Sequence, residues 1–344
     1  MKSSSVTLAD GVLSGLTLPA KNSLQDMKPN QLAIDGVELV RRGASGWISQ
    51  APLGELSLYA FTSHSFTTNK ILQNVPTLAE LRSLYAGAPF INDTALFNTS
   101  GAIQIWTVPA TATYRIETVS PAYDQYQPGA KVTLDVALTK GTVLRMLCGQ
   151  GAVGSFSGGG ASFCQIQGGA LLAVAGGYGG IHKPHASPPV AAPKIDLAAY
   201  GSGNGGTSYA ASVGVQGSAA AAGGSGWNSA CSYAANGPAT VSVGTALSIG
   251  GTPGRGYVTD TKERPYGGLG GGGGGGVGGN NQFRLLGGGG GYTGGAAQLL
   301  TFNTNTAGHG GTCYAAPASA SVTNRGSMLQ TTAPYGYVKI IKLT

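Results

Sequence analysis

Between residues 131 and 138 apolar and polar positions alternate: Val132, Leu134, Val136 and Leu138 fall on one side, Lys131, Thr133, Asp135 and Ala137 on the other. A period of two marks a β-strand with one buried face. Shorter apolar runs cover 103–108, ended by Pro109, then 114–119 and 143–148. Ahead of them Thr77 and Glu80 have the spacing of a capping box, and Leu78, Leu81, Leu84 and Tyr85 follow at helical intervals. Gly87 can supply a left-handed stop. Residues 56–148 therefore predict an antiparallel β module, one layer of a sandwich, with one short helix.

Nearer the N-terminus, 32–40 reads LAIDGVELV, with Asp35-Gly36 between β-rich flanks. That is a hairpin signature, because a two-residue turn needs positive φ at its centre. Residues 1–55 are too few to bury a good core alone, so they are expected to lean on a partner chain or on the next domain. From 149 to 335 the pattern changes: glycine clusters recur at 149–160, 176–180, 201–206, 223–226, 266–279, 287–295 and 308–311. Residues 336–344 (GYVKIIKLT) return to strand-like sequence and predict a closing strand.

Composition sharpens this division. Of 344 residues 60 are glycine, more than twice the usual share of about 7%. Only 10% are charged while 42% are apolar, which is not the profile of a disordered chain. The net charge is +7; residues 1–148 hold eleven Lys/Arg against ten Asp/Glu, and 149–344 hold nine against three. The basic residues of the second half are scattered, whereas a nucleic-acid reader gathers them in a patch. Attraction to an anionic cell surface is the better use of such a field, and no nucleic acid is expected as a partner. The first residues lack a secretory apolar core, so synthesis in the cytoplasm without export is expected. Cys148, Cys164, Cys231 and Cys313 show no metal or redox spacing, and Cys148 and Cys164, in apolar runs, read as small buried hydrophobes.

Glycine tracts of this kind have few uses. No GK[ST] and no helix-forming segment follows any cluster, which makes a phosphate loop a weak reading, and the 17 prolines keep no collagen period. Flexible linkers need no apolar residues, yet Leu171, Leu172, Val174, Tyr178, Leu269, Val277 and Tyr292 sit in or beside the clusters. What remains is a bundle of extended left-handed polyglycine helices with three residues per turn. Such helices make no internal hydrogen bonds and must pair sideways. A tract like 266–279, if continuous, would span roughly 43 Å and would lie against 287–295.

The string at 102–116 (AIQIWTVPATATYRI) closely resembles the entry to the glycine-rich domain of the anaplastic lymphoma kinase receptors. So do 76–79 (PTLA), 144–150 (LRMLCGQ), 171–180 (LLAVAGGYGG) and the pair 266–279 and 287–297, in the same order. The resemblance covers roughly 58–344, and segment 181–265 is longer than a minimal module needs. It implies a mainly β fold: an antiparallel β-sandwich module with one short helix, then a bundle of polyglycine type II helices with loop-rich connections. The distal adhesins of T-even-like phages are similar in joining glycine tracts by variable loops. The resemblance thus implies a non-catalytic receptor-binding protein at a tail-fibre tip of the virion. Residues 1–55 would attach to other tail-fibre or tail proteins, and distal loops would bind a host outer-membrane protein or lipopolysaccharide. A homotrimer and a bundle complete in one chain both stay open.

Glycine has no side chain with which to recognise anything, so specificity falls to the connecting loops. Their candidate contacts are Tyr200, Tyr209, Trp227, Tyr233, Arg255 and Tyr257, with Trp227 the foremost exposed contact; the equal alternative for each aromatic is to cover the apolar flank of the glycine bundle. His182 and His185 lie in IHKPH, where Pro184 opposes a helix and no third ligand is near, so they read as loop histidines; no metal or cofactor is expected. Asp260 and Glu263 are the close acidic pair of the second half. Two carboxylates could cleave a polysaccharide, but Arg255, Lys262 and Arg264 favour plain ion pairing. A structural fibre protein without receptor contact is the main alternative, and a depolymerase the more distant one.

Overall fold

Apolar alternation organises the chain into strands wherever glycine does not interrupt it. The computed structural model describes residues 32–35, 38–42, 47–52, 57–70, 74–122, 129–152, 156–180, 209–212, 218–231, 244–255, 266–278, 283–300, 310–316, 321–324 and 335–343. Strands β1 (Leu32–Asp35), β2 (Glu38–Arg42) and β3 (Trp47–Pro52) form an antiparallel sheet of their own. The register pairs Asp35 with Glu38, and Gly36, part of the expected Asp35-Gly36 turn, lies outside the described residues.

Next come β4 (Ser63–Thr67), α1 (Leu78–Leu84), β5 (Phe97–Ser100), β6 (Ile103–Thr107), β7 (Ala112–Val119), β8 (Ala130–Leu138) and β9 (Val143–Leu147). They are followed by β10 (Ser162–Ile166), β11 (Leu171–Ala175), β12 (Tyr209–Ser212), β13 (Ser218–Ala221), β14 (Gly276–Gly278) and β15 (Phe283–Leu286). The last are β16 (Gln298–Leu300), β17 (Tyr314–Ala315), β18 (Ser321–Asn324) and β19 (Tyr337–Lys342). Two antiparallel sheets dominate, ordered β17-β11-β10-β9-β6-β5 and β18-β8-β7-β19-β4. Strands β10, β11, β17 and β18 lie within 149–335, so the sandwich reaches well beyond 56–148. The closing strand β19 does not cap an edge; it sits between β7 and β4.

The core between the sheets is strongly aromatic. Phe66 and Phe97 stack with centroids 6.2 Å apart, and Trp106 lies 5.7 Å from Phe66. Trp106, Tyr114, Phe66, Phe97, Leu144 and Met146 are each almost wholly buried, and each such side chain contributes roughly 1.5–3 kcal/mol of hydrophobic stabilisation. On β8, Val132, Leu134 and Leu138 face this core, as the alternation requires, while Val136 packs partly against it. The six-stranded sheet is covered on both faces: Cys164 of β10 turns inward, and its neighbour Phe163 joins an outer cluster with Leu147, Val174, Leu247 and Leu269. None of the four cysteines forms a disulfide, and all are buried. Burial pushes the Cys148 thiol up to about 12 and the Cys313 thiol to about 11.

The capping box predicted at α1 is present, with Thr77 Oγ1 accepting from Glu80 N–H and Glu80 accepting from Thr77 N–H. Hydrogen bonds from Lys70, and then from Thr77, hold the Glu80 carboxyl down to about 2. The helix and the aromatics that follow it close the side of the sandwich where β4 and β5 lie at the sheet edges, with Leu81, Tyr85 and Phe90 in the core.

Strand directions define two ends. Thr67, Val119 and Tyr337 lie together at one end, which we call upper, with Ala130 and Asn324 beside them. β9 and β11 both run toward this end, and β10 starts from it. The chain therefore leaves after Leu147 and after Ala175 at the upper end, and returns there at Ser162 and Tyr314. The chain enters the sandwich at the lower end, where Leu58 N–H bonds Pro109 O at 2.8 Å and Lys342 N–H bonds Thr62 O at 2.8 Å.

His64 makes this core sensitive to acid. Its half-buried ring packs edge-on against Tyr85 (4.7 Å), Phe66 (4.7 Å) and Phe90 (5.0 Å), and its Nε2 has no hydrogen-bond partner. Burial lowers the imidazole from the ordinary 6.5 to about 4. Between those values the unfolded chain binds the extra proton, so stability declines as pH falls from 6.5 through about 4. Allowing for partial exposure, the loss should be roughly 2 kcal/mol. Melting temperatures measured across this window should show that decline, and His64→Phe should flatten it. An equal slope in the variant would assign the effect elsewhere.

Candidate functional site

The excursions from the upper end bring glycines from six clusters together. Gly158 and Ala161 donate to Gly273 O and Gly270 O, both at 2.8 Å. Gly177 and Gly180 donate to Gly290 O (2.7 Å) and Gly287 O (2.8 Å); Ala222 and Ser225 donate to Gly274 O (2.9 Å) and Gly271 O (2.7 Å). Gly287 and Gly290 donate to Phe156 O (2.8 Å) and Gly159 O (3.0 Å); Gly288 and Gly291 donate to Ala222 O (3.1 Å) and Ser225 O (3.2 Å). In every one of these pairs the two donors are three residues apart, and so are the two acceptors. A β ladder repeats every two residues. Between Gly158 and Ala161, Gly159 turns to Tyr178 O (2.9 Å) and Gly160 to Gln150 O (3.0 Å), so consecutive N–H groups point at different neighbours.

Segment 287–291 is the hub, touching 156–159, 177–180, 222–225, 270–273 and 295. A Cβ on Gly288 would strike the Gly295 carbonyl, and one on Gly290 the Gly270 carbonyl. Glycine is required because backbone meets backbone directly. The tract 266–279 does lie against 287–295, with Gly273 N–H on Gly288 O at 2.8 Å, but it is not one continuous helix. It bends at residues 269–271, where Gly270 and Gly271 have φ of +100° and +78°, and Gly272 N–H returns to Gly268 O at 2.9 Å. The cause is Leu269, which is buried in the outer cluster beside Phe163 and pins the bend. Residues Gly276–Gly278 then leave the glycine array as β14, which pairs with β15.

No protein-family profile and no curated protein matches this sequence. The site is therefore read from its own residues.

Of the contacts expected on loops, Tyr200, Tyr233 and Tyr257 lie outside the described residues, as do His182, His185, Asp260 and Glu263. Tyr209 opens β12, which pairs with β13. Trp227 takes the second of its two expected roles, half-buried against an apolar flank. Its ring packs edge-on against Phe163 at 5.1 Å and belongs to the border of the outer cluster, because Gly226 and Trp227 carry the bonds that seat the 244–251 loop. Arg255 bridges Tyr266 through the backbone and holds its guanidinium 4.2 Å above that ring, a cation–π contact that leaves it partly exposed.

Two features escaped the sequence reading. Tyr292 and Tyr314 stack with centroids 4.8 Å apart beside the same cluster. Residues 244–254 form a tight loop laid over the outer face of the six-stranded sheet. Thr245 and Thr252 exchange backbone-to-hydroxyl bonds of 2.9 and 2.8 Å, Leu247 is fully buried, and Arg145 of β9 donates to Ser248 O at 3.0 Å. Ile249, next in line, is 72% exposed. The signal for this loop was a buried leucine among small residues, which has no periodicity to detect. Among the described residues no group of three His, Cys, Asp or Glu side chains could hold a metal.

The geometry predicts extreme intolerance at Gly273, where a Cβ would run into the carbonyl of Ala222. Gly273→Ala should already destabilise by about 3 kcal/mol or more, at the upper end of overpacking costs, and Gly273→Val should give no soluble folded chain. Melting curves and soluble yield check this; a Gly273→Val protein melting like the native one would contradict the packing.

Proposed function

We propose that the chain is a non-catalytic bacteriophage tail-fibre adhesin, whose glycine segments form a bundle of polyglycine type II helices that carries receptor-binding connections. The three-residue repeat of the inter-segment hydrogen bonds supports the helical reading, since three residues per turn is the period of that conformation. The observation that carries the functional reading is polarity. The chain enters the sandwich at its lower end, at Leu58, while every described glycine excursion departs from and returns to the upper end. Attachment through residues 1–55 to other tail-fibre proteins would then leave the bundle facing outward, toward a host outer-membrane protein or lipopolysaccharide.

The stretches 181–200, 207–222, 227–248 and 252–265 connect the glycine passes, and recognition is assigned to them, with Arg255 and the tyrosines as candidate anchors. Part of this assignment is narrowed by the fold. Tyr209–Ser212 and Ser218–Ala221 form a hairpin, and 244–248 is clamped to the sheet, so those portions are structural supports. The excess of basic residues in 149–344 suits an anionic cell surface, through attraction screened beyond about 8 Å at physiological salt.

Particles lacking this chain should assemble and fail to adsorb. Within the intact chain, replacing 256–265 or 232–243 by a Gly-Ser linker of equal length should abolish adsorption while moving the melting temperature by only a few degrees, since loops with intact anchors tolerate exchange. Adsorption that survives every such exchange, or that is lost only together with thermal stability, would overturn the reading.

A further inference from the structure

Among the described residues β4 is the first strand of the sandwich and lies at a sheet edge, with β19 as its one ladder partner. Five residue pairs join the two, from Ser63 and Ile341 at the lower end to Thr67 and Tyr337 at the upper. β19 is held in turn to β7 by six pairs, and β7 to β8 by eight. The β4–β19 ladder is therefore the shortest of the three links that tie the entering chain to the sheet. Side chains fasten the upper tip of β4 from its other edge. The Tyr85 hydroxyl donates to Thr67 O at 2.6 Å and accepts from Thr67 N–H at 2.7 Å, and Gln104 Nε2 donates to the same carbonyl at 3.1 Å. Thr67 Oγ1 donates to Gly336 O at 3.1 Å, and Gly336 N–H bonds Gly149 O where the first glycine excursion begins.

We propose that the β4–β19 ladder is a force-bearing clamp, loaded in shear whenever the chain's entry and its glycine array are pulled apart. The entry lies at the lower end and the array at the upper, and the strands run between these ends, so such a force acts along the strand axis. Antiparallel ladder bonds lie perpendicular to the strands. A pull along the axis therefore strains all five pairs together, and no pair yields until the strand slides as a unit. Sliding β4 downward also drags two buried rings, Tyr59 and Phe66, out of the aromatic core. The perpendicular case is weaker. Lys342 and Leu343 leave β19 at the lower end beside Thr62, and a force parting those ends opens the ladder one pair at a time from Ser63. The placement of entry and array at opposite ends selects the resistant direction. The clamp is a property of the sheet; its use in holding a virion to a cell rests on the adhesin reading, which adsorption tests separately.

Single-molecule pulling on the full chain in two geometries tests the clamp. The four native cysteines are buried, so newly placed surface cysteines take the handles. Leu58→Cys with Lys131→Cys pulls the entry against the upper end of β8, whose eight pairs with β7 outlast the five of β4. Leu58→Cys with Leu343→Cys parts the two lower ends. Both double variants should melt like the native chain, since Leu58 and Leu343 are exposed and Lys131 gives up only a surface ion pair. At one loading rate the first geometry should rupture at a force at least about twofold above the second, because the pairs share the load instead of bearing it in turn. Equal rupture forces in the two geometries would overturn the proposal. So would a gain in contour length showing that β8 leaves the sheet before β4.

Discussion

Everything in this molecule depends on how backbone amides are satisfied where neither helix nor sheet is available. A buried N–H or C=O without a partner costs about 1–3 kcal/mol, and the upper end of the sandwich buries dozens of such groups on segments that form no ladder. The solution is direct contact between chains stripped of side chains. Gly158, Gly159, Gly160 and Ala161 donate in succession to Gly273, Tyr178, Gln150 and Gly270, so one short segment is tied to several neighbours at once. Each neighbour must approach closely enough that a single Cβ would displace it. Glycine is disfavoured in ordered structure because it loses the most conformational freedom. The array is thus stable only as a cooperative whole, with every segment holding the others.

Such an array cannot position itself, and the sandwich supplies the frame. β9, β10, β11 and β17 are neighbours in one sheet, and their upper ends fix where four glycine segments begin or finish. The closing strand extends the same logic across the full length of the chain. β19 lies between β7 and β4, and just before it Gly336 N–H bonds Gly149 O at 2.7 Å while Tyr335 bridges Gln150. The last strand therefore locks the first glycine excursion to the five-stranded sheet. Sandwich and glycine array are parts of one structure rather than consecutive domains, and the outer apolar cluster of Phe163, Leu247 and Leu269 seals the seam between them.

Local patterns were legible in the sequence. The alternation in β8, the Thr77–Glu80 capping box and the burial of Trp106, Cys148 and Cys164 all follow from residue type and short-range spacing, and the structure has each of them. What escaped depends on contacts between distant residues. Nothing near 266–279 announces that Leu269 will be drawn into a cluster with Phe163 and bend the tract; a run of glycines has no periodicity of its own. The same holds for Trp227, whose loop-like surroundings left exposure and flank packing both open while its partner lies more than sixty residues earlier in the chain. Arg255 was singled out for its charge, and its seat on Tyr266 could not be inferred from composition. Ile249 passed unnoticed because a lone isoleucine among Ser, Gly and Thr carries no signal until Leu247 and Arg145 fix its loop.

The most direct test of the central claim is residue-resolved amide hydrogen exchange on the intact chain. If lateral bonds between glycine segments form one cooperative array, Gly159, Gly177, Gly288 and Gly290 should exchange only on global unfolding, with protection equal to that of Ile116 and Leu134 in the sandwich core. Exchange of those glycines at rates near those of an unfolded chain, while Ile116 and Leu134 stay protected, would contradict it.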